Sequence, residues 1–355
     1  MSITLAEASK LSTDILVKGI IETIVKESPI LQKLPFIQIT GNSLKYNREK
    51  TLPTAAWYAP VTGTWAASPP TFEQVTASLS VLGVDADVDN FLKSTRSNVQ
   101  DLEAACIELA AKSVRHEFEN VFLNGTGTSE QPSGLYTIMK GTAWVALTAY
   151  ALGDVVVPTA GLENGFRYEC TTAGTSGASA PTWSIVEGGT TADATVVWTA
   201  RFGCHLGSGA NGATLALDKI DSLVDLVRGA KPDLLLMSRR TRRKIVALCR
   251  AAGQNLLIGE GKAGDMVEYF NGIPVAVSDW VKDNYSVGSS GDCSAIFAFL
   301  MGEGAVAGLT SPEMLQIERL GSLETKDASR TRIKWYVSVA DFSYVKCAML
   351  TGVRA

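Results

Sequence analysis

SNVQDLEAACIELAAKSVRHEFENVFLNG, residues 97–125, is the stretch whose reading decides the fold. Ser97 with Gln100 three residues later forms a capping box, and Asn124-Gly125 supplies a left-handed stop. Val99, Leu102, Cys106 and Leu109 make one apolar stripe; Ile107, Ala110, Val114, Phe118 and Val121 make a second. These spacings of three and four, with no proline, predict one helix of roughly 40 Å at about 1.5 Å per residue. A helix that long, apolar on two sides and charged elsewhere, is a beam for other elements to pack against.

On the N-terminal side the pattern changes period. LKYNREK (44–50) and VTASLSVLGVDADVD (75–89) alternate as strands, and TLPTAAWYAPVTGTWAASPP (51–70) joins them as the tip of a projecting hairpin. The tip carries Trp57, Tyr58 and Trp65. Two readings stand: an apolar patch that marks a partner surface, or a tip folded back over its own core. Asp85, Asp87 and Asp89 share one strand face. The calcium-loop template fails, with Asn90 at its glycine position and Arg96 at its closing glutamate, so a solvated strand face is expected. Before the hairpin, residues 1–40 carry a helical pattern through Leu11, Ile15, Ile20, Ile21 and Ile24 that breaks at Ser28-Pro29.

On the C-terminal side, NGTGTSEQPSGL follows the helix instead of opening one, and it lacks the GK[ST] of a phosphate cradle. Residues 141–203 are a composition island. No lysine occurs between Lys140 and Lys219, and short β-prone runs are separated by Asn164-Gly165 and Gly188-Gly189. The island reads as a small inserted all-β module. Its aromatics, among them Tyr168, Trp183 and Trp198, form either its core or a sugar-stacking platform, the core being favoured because so small a sandwich has little else to fill it.

From residue 214 the pattern is α/β. LALDKIDSLVDLVRG and RRTRRKIVALCRAAG are helices; PDLLLMS, GIPVAVSDW and SAIFAFLM are buried strands. Arg239, Arg240, Arg242, Arg243, Lys244 and Arg250 gather on the second helix. They offer a phosphate-binding face or, the preferred reading, a solvated or inter-subunit face. MLQIERLG and TRIKWYVSVADFSYVKCAMLTGV then form a long β hairpin about a charged turn.

Composition bounds the function. With 355 residues, 46% hydrophobic and 19% charged, the chain fits two or three packed domains and excludes a disordered one. A formal net charge of −4 recruits no nucleic acid globally. Six dispersed cysteines without a CxxC pair indicate reduced thiols and no zinc site. Neither a signal peptide nor an apolar run of about 20 residues occurs, so a soluble cytoplasmic chain without membrane contact is expected. Only His116 and His205 are present, with no HExxH, GxSxG or GxGxxG after a strand. No enzyme, metal or cofactor is expected.

The order of arm, hairpin, long helix, α/β domain and returning strands resembles the major capsid proteins of tailed bacteriophages, the Hong Kong 97 type. SLKYNREKTLPTAAW, FENVFLNGTGTSEQPSGL, KPDLLLMSRRTRRKIVAL and EYFNGIPVAVSDW carry the likeness. The island, with WVALTAYALGDVVVPT, PTW and VVW, resembles small β modules of other phage virion proteins, some of which adhere to carbohydrate. The resemblance implies an α+β fold: an N-terminal arm (1–40), an extended loop hairpin (41–83), and a peripheral domain (84–140) with its spine helix at 98–123. The inserted module (141–203) and an axial domain (204–310) follow. Return strands (311–355) complete the peripheral domain, the last of them able to lie in the axial domain.

The implied function is a non-catalytic subunit of an icosahedral head, assembling as pentamers and hexamers around double-stranded DNA without sequence readout. The module would stand on the outer face. Trp57, Tyr58, Trp65, Arg239, Arg240, Arg242 and Arg243 would meet neighbouring subunits. A separate scaffolding protein, a portal and a decoration protein are the other implied partners. Some relatives begin with a cleaved scaffolding segment, whereas this chain starts near its arm. Others link subunits through a lysine–asparagine bond, and nothing shows that Lys45 or Lys50 reacts. The rival reading is a sugar-binding adhesin or tail protein working through Tyr168, Trp183 and Trp198.

Overall fold

The computed structural model describes residues 29–59, 62–96, 102–128, 130–253, 257–260 and 266–354. The capping box at Ser97–Gln100 and the helical pattern of the first 28 residues lie outside them.

Leu102–Asn124 is a 23-residue helix. Two sheets share its apolar side chains. Phe118 meets Trp335 at 4.9 Å and Phe36 at 5.7 Å between ring centroids, while Phe122 reaches Phe299 at 6.4 Å. Phe122 and Leu123 are fully buried, whereas Leu109 is 45% exposed and does not complete the first stripe. The sheet beneath Phe118 has the order Phe36–Gln38, Val306–Ser322, Ala328–Asp341, Ser80–Asp89. Val88, Ile333, Trp335 and Val337 fill its helix-facing side.

The aspartates of its last strand are not simply solvated. Arg332 donates to both oxygens of Asp85 at 2.7 and 2.9 Å, and Arg330 to both of Asp87 at 2.6 and 2.7 Å. Register explains the pairing: Arg332 lies opposite Asp85 and Arg330 opposite Asp87 across the ladder. The guanidinium bonds hold both carboxyls below the usual carboxylate range. Asp89 turns to a different task. Its Oδ1 accepts from the Phe91 and Leu92 amides and opens a short helix, Asn90–Arg96, that alternation alone does not announce.

The second sheet runs Leu257–Glu260, Met266–Phe270, Ile273–Val277, Leu234–Met237, Ser290–Phe299, Cys347–Arg354, Val196–Gly207, Asn164–Thr172, Val155–Val156. Helices Leu217–Leu226 and Arg239–Ala251 bury Ile220, Leu223, Ile245 and Cys249 against its Leu235, Met237, Ile296 and Leu350. Ser238 caps the second helix by accepting from the Thr241 amide at 3.2 Å. Leu234–Met237 is wholly buried, as expected of a central strand covered on both faces.

Residues 141–203 have their own core of Trp144, Val156, Tyr168, Cys170, Val196, Trp198 and Ala200. Buried Asp193 accepts from Trp144 Nε1 at 2.8 Å, Trp198 Nε1 at 3.1 Å and the Gly177 amide at 2.7 Å. Three donors satisfy a carboxylate that has lost water. Strand Val196–Gly207 belongs to both neighbours. Its first part pairs with Asn164–Thr172, and His205–Gly207 runs parallel to Met349–Thr351. Positions 203 and 204 are therefore consecutive residues of one strand. The segment's two ends also meet: His205 Nδ1 lies 3.2 Å from the Lys140 carbonyl, and Cys204 Sγ 3.8 Å from that of Met139.

Candidate assembly surfaces

Ser43–Thr51 pairs antiparallel with Thr71–Ser78 from Ser43 opposite Ser78 to Thr51 opposite Thr71. The root is anchored. Tyr46 donates its hydroxyl to the Asp341 carbonyl at 2.7 Å, and Arg48 donates Nε to the Phe342 carbonyl at 3.1 Å and pairs with the Asp341 carboxylate at 3.3 Å. Burial raises the Asp341 pKa against the pull of Arg48. Beyond Thr51 the ladder stops. Pro53, Pro69 and Pro70 lack the N–H that pairing needs, and no described residue between Thr51 and Thr71 lies in a strand.

The tip does not fold over the chain's own core. Trp57 is fully exposed and Trp65 81% exposed, and Tyr58 stacks on Trp65 at 4.3 Å. Leu52 and Phe72, at the strand ends, are exposed as well. Sequence reasoning passed over both, because each is a single apolar residue beside turn chemistry.

A second apolar surface had no advance signal. Met314, Leu315, Ile317 and Leu320 are each about half exposed on Val306–Ser322. Leu315 and Ile317 stand opposite buried Trp335 and Ile333, one strand further out, at the rim of the face that the helix covers. Phe36–Gln38 pairs with Gly308–Thr310 only. Among the described residues no strand pairs with the edge beyond Thr310, so unpaired strand backbone and half-exposed apolar side chains coincide there.

Three of the six cations of the basic helix are paired within the chain. Arg239 pairs with Asp279 at 2.7 Å, Arg240 with Asp283 at 3.4 Å, and Arg242 donates to Glu268 at 2.7 Å. The Arg242–Glu268 bond draws the glutamate down and the guanidinium up. Arg243 and Arg250 are exposed.

Of the aromatics weighed for a sugar-stacking platform, two belong to the core. Tyr168 and Trp198 are fully buried. Trp183 closes over them, 4.2 Å from Tyr168 and 6.1 Å from Trp198, so no ring face of the buried pair is open to a sugar.

The two histidines sit apart. His116 contacts Trp280 edge-on at 5.8 Å, and His205 is buried among Glu163, Lys140 and Thr351. Among the described residues no three His, Cys, Asp or Glu side chains converge as metal ligands. No described helix is long and apolar enough to cross a membrane.

Residues 11–303 match the model of the phage capsid family. No curated protein matches. Among solved structures, the chain is similar to the SrpI encapsulin of Synechococcus elongatus, with TM-score 0.62, 15% identity, and coverage of 99% of this chain and 96% of that one. The capsid of a native GTA particle is similar at TM-score 0.59 and 15% identity, over 99% and 98% of the two chains. A Mycobacterium phage Bobi structure is similar at TM-score 0.55 and 13% identity, over 99% of both.

Proposed function

The chain belongs to the phage capsid family, a virion shell protein with the Hong Kong 97-type α+β fold, and from that premise we propose that it closes an icosahedral head as pentamers and hexamers around double-stranded DNA. Its work is assembly, with no chemical turnover. The observation that carries this reading is the hairpin tip: Trp57 and Trp65 stand in solvent in the single chain. Each large aromatic offers about 150–250 Å² for burial, and closed symmetry repeats that contact in every subunit. The half-exposed rim at Met314–Leu320 is a second surface suited to a neighbour.

Packaged DNA is enclosed without sequence readout. The net charge of −4 and the internal pairing of Arg239, Arg240 and Arg242 weigh against a phosphate-binding face, with Arg243 and Arg250 left exposed on that helix. A separate scaffolding protein, a portal and a decoration protein are its other partners in this reading. Residues 41–83 act as the extended loop, 84–140 with 311–355 as the peripheral domain, 204–310 as the axial domain, and 141–203 as an insertion on the outer face. The burial of Tyr168 and Trp198 weighs against an adhesin built on them. Electron microscopy of the purified full chain tests the proposal: closed shells with five- and six-fold clusters are expected. A compact monomer under every assembly condition, with and without a co-expressed scaffold, would sink it.

A further inference from the structure

We propose that segment 141–203 serves as a brace that fixes the angle of the hairpin at its root. The strand Asn164–Thr172 has two chemically distinct faces, as period two requires. Tyr168 and Cys170 enter the segment's core, while Arg167 and Glu169 point the other way. That second face meets the hairpin. Glu169 Oε1 lies 2.7 Å from Lys50 Nζ on the hairpin strand, and its Oε2 lies 3.6 Å from Arg201 Nε. Arg201 reaches Glu187 as well, at 3.6 Å.

Arg167 completes the joint. Its guanidinium carbon sits 3.5 Å from the ring centroid of Tyr344, and its Nη2 donates to the Tyr344 hydroxyl. Arg48 of the hairpin lies over the same ring at 5.5 Å. Tyr344 stands between strands Ala328–Asp341 and Cys347–Arg354, where the two sheets are joined. One tyrosine is thus held from the hairpin by Arg48 and from the inserted segment by Arg167. Register sharpens the point. Arg167 faces Arg201 directly across the ladder, a like-charge pair that opposes strand pairing. Both cations are drawn outward to partners beyond the segment's own core: Tyr344 for Arg167, and the Glu169 shared with Lys50 for Arg201. The segment thus reaches the hairpin directly through Glu169 and Lys50, and indirectly through the Tyr344 ring that Arg167 and Arg48 share.

The mechanical consequence follows from the fold. The hairpin's two strands form a separate sheet and hydrogen-bond to no other strand. Its orientation depends on side chains at the root. The segment, by contrast, shares strand Val196–Gly207 with the axial sheet and is fixed to it. Linking the hairpin to that strand adds the axial sheet's rigidity to a ribbon otherwise held only at its root, by Tyr46, Arg48 and the packing of Leu44 and Ala77.

This inference goes beyond the shell reading and is tested on the unassembled full chain, so it fails or stands separately. Amide hydrogen exchange is followed in strands 43–51 and 71–78, with strand 290–299 as the internal reference. Arg167→Ala and Lys50→Met are expected to speed exchange in the hairpin by about tenfold and leave the reference unchanged. Tyr344→Phe keeps the ring and should stay close to the parent. Lys50 is partly exposed on the hairpin, so Lys50→Met reports on the joint even where Arg167→Ala perturbs folding. An unchanged hairpin in Lys50→Met, or equal acceleration in the hairpin and the reference strand, would overturn the proposal.

Discussion

Glu163 Oε1 lies 3.7 Å from His205 Nε2, with the two side chains 5% and 4% exposed. The distance suggests an ion pair, yet burial works against the charged form of each group. Burial pushes His205 down to about 4 and Glu163 up from its ordinary value. The Lys140 carbonyl can only accept, so Nδ1 carries the proton, and Nε2 accepts from the Thr351 hydroxyl at 2.9 Å. Each group then shapes acid stability with opposite sign. His205 contributes stability above its unfolded value of 6.5 that is lost as pH falls toward about 4. Glu163 contributes stability fully present below 4.5 and lost as pH rises through its raised folded value.

Glu163→Gln should therefore raise the melting temperature at about pH 7 and give no gain at about pH 4. Thermal melts across that range provide the check. A gain of the same size at both ends would show that titration is not involved.

Replacing Trp57, Tyr58 and Trp65 together with alanine should cut particle yield sharply while subunit melting stays within about 0.5 kcal/mol of the parent, as for other exposed sites. Yield by sedimentation and melting by calorimetry separate the two. Full particle yield would make the tip passive, and loss of soluble subunit would point to self-packing.

Within the spine, Phe122→Ala should cost about 3–5 kcal/mol because a fully buried ring leaves a cavity between two sheets. Leu109→Ala, on the exposed side of the same helix, should cost well under 1 kcal/mol. Denaturant midpoints of the unassembled chain decide it, and equal losses would contradict the burial described above.

The isolated subunit should show no salt-sensitive DNA binding. Arg242→Glu with Arg243→Glu should leave DNA retention at background and lower stability, because position 242 would then repel Glu268. Tight binding by the parent that this double reversal abolishes would establish a phosphate-binding helix instead.

A short glycine-serine linker in place of 141–203 should still permit shells. Lys140 and His205 are already in contact, and His205–Gly207 keeps its pairing with Met349–Thr351. Lost contacts at Lys50, Tyr344 and Gly207–Gly209 should make those shells less stable and less uniform in size. Aggregates at every linker length, seen by electron microscopy, would show the segment to be part of the shell's own core.

Local periodicity was enough to place the spine helix, the hairpin ladder, the buried LLLM strand and the long return ribbon, because each is written in spacings of two or of three to four residues. The same alternation put Asp85 and Asp87 on one strand face. It could not supply Arg332 and Arg330, which lie 247 and 243 residues away and arrive through sheet register. Nor could it place Leu109, which keeps the spacing of an apolar stripe yet is exposed. The aromatics of 141–203 were legible as a core, whereas Asp193, which binds two of their indoles, was hidden because a buried carboxylate shows itself only through its donors. Tertiary structure alone decided that Val196–Gly207 serves two sheets and that Arg48 and Arg167 share Tyr344. A side chain's period fixes which way it points; what it meets there depends on chain segments that only folding brings near.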